Sequence, residues 1–329
     1  MPVVGIDVSK AKLDCALLFD TERFKLRSKV TANNEQGFEE LLSWACRTGR
    51  CEATQLHFVL EPTGVYHEQA ALWLHGAGAC VSLVNPAQLR DFAKGLAVRS
   101  KTDALDRAVL ARYGHLLKPP PWQPPPEEVL ILQSLMRRLD AIEADKRREE
   151  NRLEKAVIAQ APESVQLSLG RSLAFLEEQR RELERLIDDH IDRHRGLKRD
   201  KALLESVPGV GALTAKRMLV VLRGRVFTRA RQVAAYLGLV PVSYDSGTSV
   251  HRRPRLSKAG KTHVRAALYW PAVSAARWNP HVRALYERLL AKGKCKLSAI
   301  GAAMRKLVHI CFGVLKHQCP YCPQAGTAC

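Results

Sequence analysis

The sequence has no apolar run suited to crossing a membrane. Its longest uncharged stretch, Gln69–Leu89, is broken by Gly76, Gly78, Asn85 and Pro86, and it reads as a helix followed by a strand. The first residues, Met-Pro-Val-Val-Gly-Ile-Asp, lack the basic head and apolar core of a secretory signal. Cysteine is sparse and odd in number, 9 in 329 residues, which excludes a disulfide scaffold and favours a reducing compartment. No Gly-x-Ser-x-Gly elbow is present, so ordinary serine-hydrolase chemistry is not indicated. Hydrophobic residues make up 46 %, enough for a buried core, so disordered and collagen-like chains are excluded too. What the last third lacks is acid. Residues 196–329 carry 4 Asp+Glu against 24 Lys+Arg, a net of +20, whereas residues 1–118 net +2 and residues 119–195 net −3. A basic excess confined to one segment is the footprint of a polyanion partner. With no lipidation signal, nucleic acid is a better match than a membrane surface, and the expected location is the cytoplasm, at the nucleoid.

Along the chain, Val3–Val8, the run Leu13–Phe19 and Phe24–Thr31 read as strands able to form an antiparallel meander. An amphipathic helix near Glu35–Ala45 follows, then a buried strand His57–Glu61, a helix Tyr66–Gly76, a strand Cys80–Val84, and helices Ala87–Leu96 and Thr102–Leu116. That order predicts an α/β unit with a mixed sheet over residues 1–118. Six prolines in the nine residues Lys118–Pro126 predict a stiff linker. Leucine spacings at 132, 135, 139 and 142 (Ile), and at 169, 173, 176, 183 and 187 (Ile), predict an antiparallel helical hairpin or coiled coil within 119–195, with Arg180 in one seam position. Residues 196–317 read as a mostly helical basic domain with a long polar loop between Leu239 and Lys258. The Cys-rich tail, 318–329, reads as frayed, and its Cys319-x-x-Cys322 pair is a weak zinc motif.

Three constellations carry chemistry. Asp7 interrupts the apolar first strand, Glu61 ends a buried strand, and Asp103 and Asp106 share one face at a helix start. Acids presented by buried elements need a compensating cation, and a converging set of them suits Mg²⁺ and phosphodiester chemistry. Singly, each has a plainer role: Asp103 at a helix start, Asp106 paired with Arg107 or Lys101, Asp7 in a turn, Glu61 at a satisfied strand edge. Second, Pro208-Gly209-Val-Gly211 between helical runs resembles a helix-hairpin-helix turn, whose glycines let backbone N–H groups approach phosphate. Third, Ser246 and Gly247 precede His251, Arg252, Arg253, Arg255 and Lys258, which suits a phosphate-binding loop or, more sharply, a nucleophilic serine with cations beside it.

Taken in order, Gly5-Ile-Asp7-Val-Ser-Lys, Leu60-Glu61-Pro-Thr-Gly64, Asn85-Pro86, Lys101-Thr-Asp103-Ala-Leu-Asp106, Pro208-Gly-Val-Gly211, Ser246-Gly-Thr-Ser249, Arg255-Leu-Ser-Lys-Ala-Gly260 and Ala303-Met-Arg-Lys306 resemble the DEDD-type insertion-sequence transposases of the one-ten family, the bridge-RNA-guided serine recombinases. The resemblance covers essentially residues 1–317. It implies a RuvC-like RNase H fold at the N-terminus with Asp7, Glu61, Asp103 and Asp106 holding Mg²⁺, a coiled-coil spacer, and a helical transposase domain whose Ser246 attacks DNA phosphate to form a phosphoserine link. It further implies a structured noncoding bridge RNA, donor and target double-stranded DNA as partners, and a homo-oligomer, dimer to tetramer. A junction-resolving RuvC-like nuclease would use the four acids but leave Ser246 without a role. An actin-like or sugar-kinase ATPase would explain Gly5-Ile-Asp7, but no second glycine-rich phosphate loop or adenosine motif is present.

Overall fold

The computed structural model describes residues 1–62, 64–96, 103–246, 250–257 and 259–323, with backbone alone at 103–105, 243–246 and 250–254. The chain forms two compact units, Met1–Pro124 and Pro125–Cys329.

The first unit runs β1 (Val3–Val8), β2 (Lys12–Asp20), β3 (Lys25–Ala32), α1 (Glu35–Gly49), β4 (His57–Leu60), α2 (His67–Gly76), β5 (Cys80–Leu83), α3 (Pro86–Gly95) and α4 (Asp103–Leu117). Its sheet has the order β3-β2-β1-β4-β5. The β1–β2 and β2–β3 pairs are antiparallel, and the β1–β4 and β4–β5 pairs are parallel. This mixed five-stranded topology is compatible with an RNase H-like N-terminal domain. Helix starts follow from capping residues. The Asn34 side chain accepts from the Gly37 N–H at 2.9 Å, and Asn85 accepts from Ala87 ahead of Pro86 at the first helical position. One sheet face (Val4, Ile6, Val8, Phe58, Leu60) packs with Phe38, Leu41 and Leu74 from α1 and α2. The alternate residues Val3 and Val59 face the other way and pack with Leu110 and Tyr113 of α4.

The proline segment after α4 is fastened to this unit. The Ser82 hydroxyl lies 3.1 and 2.9 Å from the carbonyls of Pro119 and Pro120, and the Trp122 N–H donates to Val81 at 2.7 Å. Proline carries no N–H, so the run offers carbonyls and one tryptophan donor, and β5 takes both.

The second unit begins with the hairpin α5 (Glu127–Ile158) and α6 (Glu163–Arg193). Lys146 bridges to Glu177 at 2.9 Å across it, and Arg180 is held within α6 by Glu177 and Glu184. Then come α7 (Arg195–Glu205), α8 (Ala212–Arg223), α9 (Ala230–Tyr236), β6 (Pro241–Ser246), β7 (Val250–Leu256), α10 (Thr262–Ala267), α11 (Tyr269–Trp278), α12 (Pro280–Ala291) and α13 (Lys296–His317). The hairpin's buried residues, Leu132, Leu139, Ile187 and Ile191, belong to the same core as Met218, Leu237 and Leu307, so hairpin and basic helices are one unit.

Three expectations are corrected here. The polar loop between Leu239 and Lys258 is a β-hairpin, with Val242 opposite Arg255 and Ser246 opposite Val250. Pro254 is tolerated because a two-stranded ribbon leaves one edge of each strand unpaired. The described part of the tail, up to residue 323, is anchored through Tyr321: its N–H donates to the Ser206 hydroxyl at 2.8 Å and its hydroxyl donates to Asn279 at 3.0 Å. Finally, α13 does have the length and composition of a membrane span, yet half of that window is buried, with Ala303, Leu307, Val308 and Cys311 in the core. That burial is the setting of a core helix.

Candidate active site

Asp7 is the next-to-last residue of β1 and stands opposite Asp14 of β2. The parallel ladder from β1 to β4 pairs Ile6 with Leu60, so Asp7, still within β1, and Glu61, just past β4, follow at the next position on neighbouring strands. Since Ile6 and Leu60 face α1 and α2, strand alternation turns Asp7, Asp14 and Glu61 toward the α4 face. Helix α4 lies unusually close there. A Cβ on Gly5 would fall 2.4 Å from both the Ala111 nitrogen and the Arg107 carbonyl oxygen, and a Cβ on Gly114 would meet methyls of Val59 and Val3 at 2.6 and 2.7 Å. These two glycines let α4, whose first turns include Asp106, lie against β1. Asp103 opens the same helix, and its side chain lies outside the described residues. Among the described residues no three acid, histidine or cysteine groups close on one metal-holding point.

Asp14 and Arg107 are functional candidates that sequence reasoning passed over. Asp14 is 4 % exposed, accepts from Arg107 Nη1 at 3.0 Å and pairs with Lys12 at 2.8 Å. Arg107, one of the two cations offered as a partner for Asp106, therefore serves Asp14 and ties α4 to β2. Two acids directly opposed on adjacent strands repel, and this pair of cations offsets the repulsion. Asp14 carried the same signal as Asp7, an acid inside an apolar strand, but no motif drew attention to it. Burial foremost, then the Asp14 charge, push the neighbouring Cys15 thiol up, with Arg107 opposing, so this cysteine is not a nucleophile. Arg107→Ala is expected to destabilise the protein by about 2 kcal/mol, because it leaves a buried carboxylate with Lys12 alone. Denaturant titrations of Arg107→Ala, Asp14→Asn and the double variant check this, and strictly additive losses would show that the pair is not coupled.

The second unit carries the other candidates. Ser246 is the last residue of β6, and residues 247–249 and Lys258 lie outside the described residues. In register, Tyr244 opposes Arg252 and Asp245 opposes His251, so the strand that returns from the turn brings Arg252, Arg253 and Arg255 alongside the serine strand. Pro208, Gly209 and Gly211 form the turn between α7 and α8. Gly209 has φ +97°, and a Cβ there would lie 2.6 Å from the Ala275 Cβ, so its bare backbone serves packing against α11. Gly211, at the start of α8, has open space where a Cβ would stand. The strand acids belong to the first unit and Ser246 to the second.

A transposase family model described as "Transposase IS116/IS110/IS902 family" matches residues 201–287. A second, of the IS110 DEDD type and described as "Transposase", matches residues 4–161. The chain is 32 % identical to proteins named "Pilin gene-inverting protein" from Moraxella lacunata and from Moraxella bovis, in each case over 322 residues and 97 % of both chains. An "Insertion element IS110 uncharacterized 43.6 kDa protein" of Streptomyces coelicolor is 33 % identical over 150 residues, 45 % of this chain and 36 % of that one. The likeness spans the strand acids and the serine hairpin alike, and the chain belongs to the IS110 family of transposases, enzymes that recombine DNA.

Proposed function

We propose that this transposase cuts and rejoins DNA through a phosphoserine ester on Ser246, assisted by Mg²⁺ at Asp7, Glu61, Asp103 and Asp106, with a structured bridge RNA selecting donor and target DNA. The observation that carries the reading is the close seat of α4 on β1 at Gly5, which supports acids of that helix and of the strands acting together. The donor set fits the ion in kind, since all four groups offer carboxylate oxygens. When bound, the ion supplies Lewis-acid stabilisation of charge on the phosphate. The chain's own part is to hold the acids on rigid elements, with Arg107 and Asp14 fixing α4. Arg252, Arg253, Arg255 and Lys258 neutralise the backbone near the serine, and the Pro208–Gly211 turn grips phosphate elsewhere on the duplex. Gene inversion, for which the Moraxella relatives are named, needs strands rejoined as well as cut, and this favours an ester over simple hydrolysis.

The working division is a RuvC-like catalytic domain at 1–118, linker and coiled-coil hairpin at 119–195, a serine-bearing basic domain at 196–317 and the tail at 318–329. A dimer or tetramer would combine one subunit's acids with another's serine, in the cytoplasm at the nucleoid. The test replaces Asp7 or Asp106 with asparagine. Strand cleavage is expected to vanish in both while the thermal transition stays in place, and Mg²⁺-dependent cleavage persisting in both variants would reject the tetrad.

A further inference from the structure

Two of the most exposed large side chains in the second unit are tryptophans on one short helix. Trp270 and Trp278 of α11 are 74 % and 64 % exposed. Aromatic surface of that size is seldom left in water without a partner. Trp270, Val273 and Arg277 recur at i, i+3 and i+7, so they form one stripe along the helix. Beside that stripe runs an open groove of about 450 Å³ between α11 and α12, floored by Val273, Ala276 and Ile300. Arg277, Arg283, Tyr286 and Glu287 complete its lining, with the two tryptophans outside it. The Arg277 guanidinium lies over the Trp278 ring, 4.8 Å from its centroid. Arg283 is held at 2.8 Å by Glu287, which is the sole Asp or Glu after residue 245.

We propose that this groove binds unpaired nucleotides of an RNA strand, with bases stacked on Trp270 and on the Trp278–Arg277 pair and phosphates drawn to Arg277 and Arg283. Flat apolar rings flanked by guanidinium groups match the two halves of a nucleotide, a base with a π-face and an anionic phosphate. Positions 270 and 278 are about 12 Å apart in rise along α11, which suits more than one splayed base rather than one small ligand. A duplex hides its base faces in the stack, so an unpaired RNA loop fits where paired DNA does not. The net charge of +20 over residues 196–329 favours an anionic strand over an acid-poor protein partner. The inference rests on the RNA-guided reading of the enzyme and assigns the surface that would hold a loop of the guide.

The remaining tryptophans make the test direct. Trp44, Trp73 and Trp122 pack against the core of the first unit, so quenching by a stacked base reports on α11. Full-length protein is titrated with a short unstructured oligoribonucleotide, its single-stranded DNA counterpart and the corresponding duplex DNA, while indole emission is followed. The RNA is expected to quench saturably, and the duplex is expected to bind without quenching. Trp270→Ala and Trp278→Ala are expected to weaken RNA binding roughly 5- to 150-fold each, with Trp278→Phe restoring much of the loss. Quenching by duplex DNA to the same extent, tighter quenching by single-stranded DNA, or emission that instead follows protein concentration, as in self-association through this face, would each overturn the proposal. RNA bound equally by wild type and both alanine variants would remove this site but leave the RNA-guided reading intact. No RNA binding by wild type at all would remove both.

Discussion

Gly5→Ala is expected to cost about 3 kcal/mol and to abolish DNA cleavage with it. The added methyl would meet backbone, the Ala111 nitrogen and the Arg107 carbonyl oxygen at 2.4 Å each, and neither can rotate away. The helix must therefore lift from the sheet, and overpacking against rigid backbone stands at the upper end of what such insertions cost. The lift would also pull Arg107 from Asp14 and shift the helix that carries Asp106, so, on the proposed tetrad, stability and activity fall together. A loss of that size lowers the melting temperature by roughly 10 °C for a unit of this length. Gly114→Ala is the informative control. Its methyl would meet side-chain methyls of Val59 and Val3, which can yield, so the loss there should be smaller. Calorimetry of the full-length protein together with a cleavage assay decides the matter. Full activity at an unchanged melting temperature in Gly5→Ala would mean that the close approach of α4 does not position the site.

Ser246→Ala is expected to remove every trace of covalent protein–DNA adduct and to lower recombination by on the order of 10³-fold or more, the scale of losing a nucleophile. In the proposed step the Ser246 Oγ forms a bond to phosphorus as the phosphate's bond to the leaving deoxyribose oxygen breaks. The serine proton passes to a base, and the leaving oxygen gains one. The ester conserves the energy of the broken linkage, so a free hydroxyl of another strand can attack it, restore a phosphodiester and return the serine without an external energy source. Water as the nucleophile would discard that energy. The place of Ser246 at the end of β6 suits this role, because β7 returns Arg252, Arg253 and Arg255 along the neighbouring strand. Protein, RNA and end-labelled DNA are incubated and denatured, and label that stays with the protein is measured. An adduct that survives in Ser246→Ala but disappears in Ser249→Ala would move the assignment, and cleavage by wild type without an adduct would end it.

The first unit was legible because its signals are local. Apolar runs punctuated by Asn34, Asn85 and Pro86 mark β1 to α4 within a residue or a few, and strand alternation already separates Asp7 and Glu61 from Ile6 and Leu60. What stayed hidden depends on contacts far apart in sequence. Nothing near Gly5 reveals that a helix a hundred residues on will use its missing side chain, and Arg107 could not be matched with Asp14 before β2 and α4 were brought together. The β6–β7 ribbon escaped because Pro254 reads as a strand breaker, although a two-stranded ribbon tolerates a proline in one of its strands. The hairpin was foreseen as a pair of helices, but its share in the basic unit's core was not, since its leucines pack on helices still to come.

That shared core gives the unit's charge a direction. The acids of the hairpin reach across to cations of the next helices: Asp188 to Lys201 at 3.1 Å and to Lys216 at 2.8 Å, and Asp140 and Glu143 to Arg217 at 2.9 and 2.8 Å. The two lysines hold the Asp188 carboxyl below its ordinary range despite its burial. Acid neutralises base early in the unit, on α7 and α8, while beyond residue 245 the sequence supplies only Glu287. A polyanion approaching this protein therefore meets a gradient, not a uniformly positive surface, and is drawn past the hairpin's roots toward the elements that carry the serine and the exposed indoles.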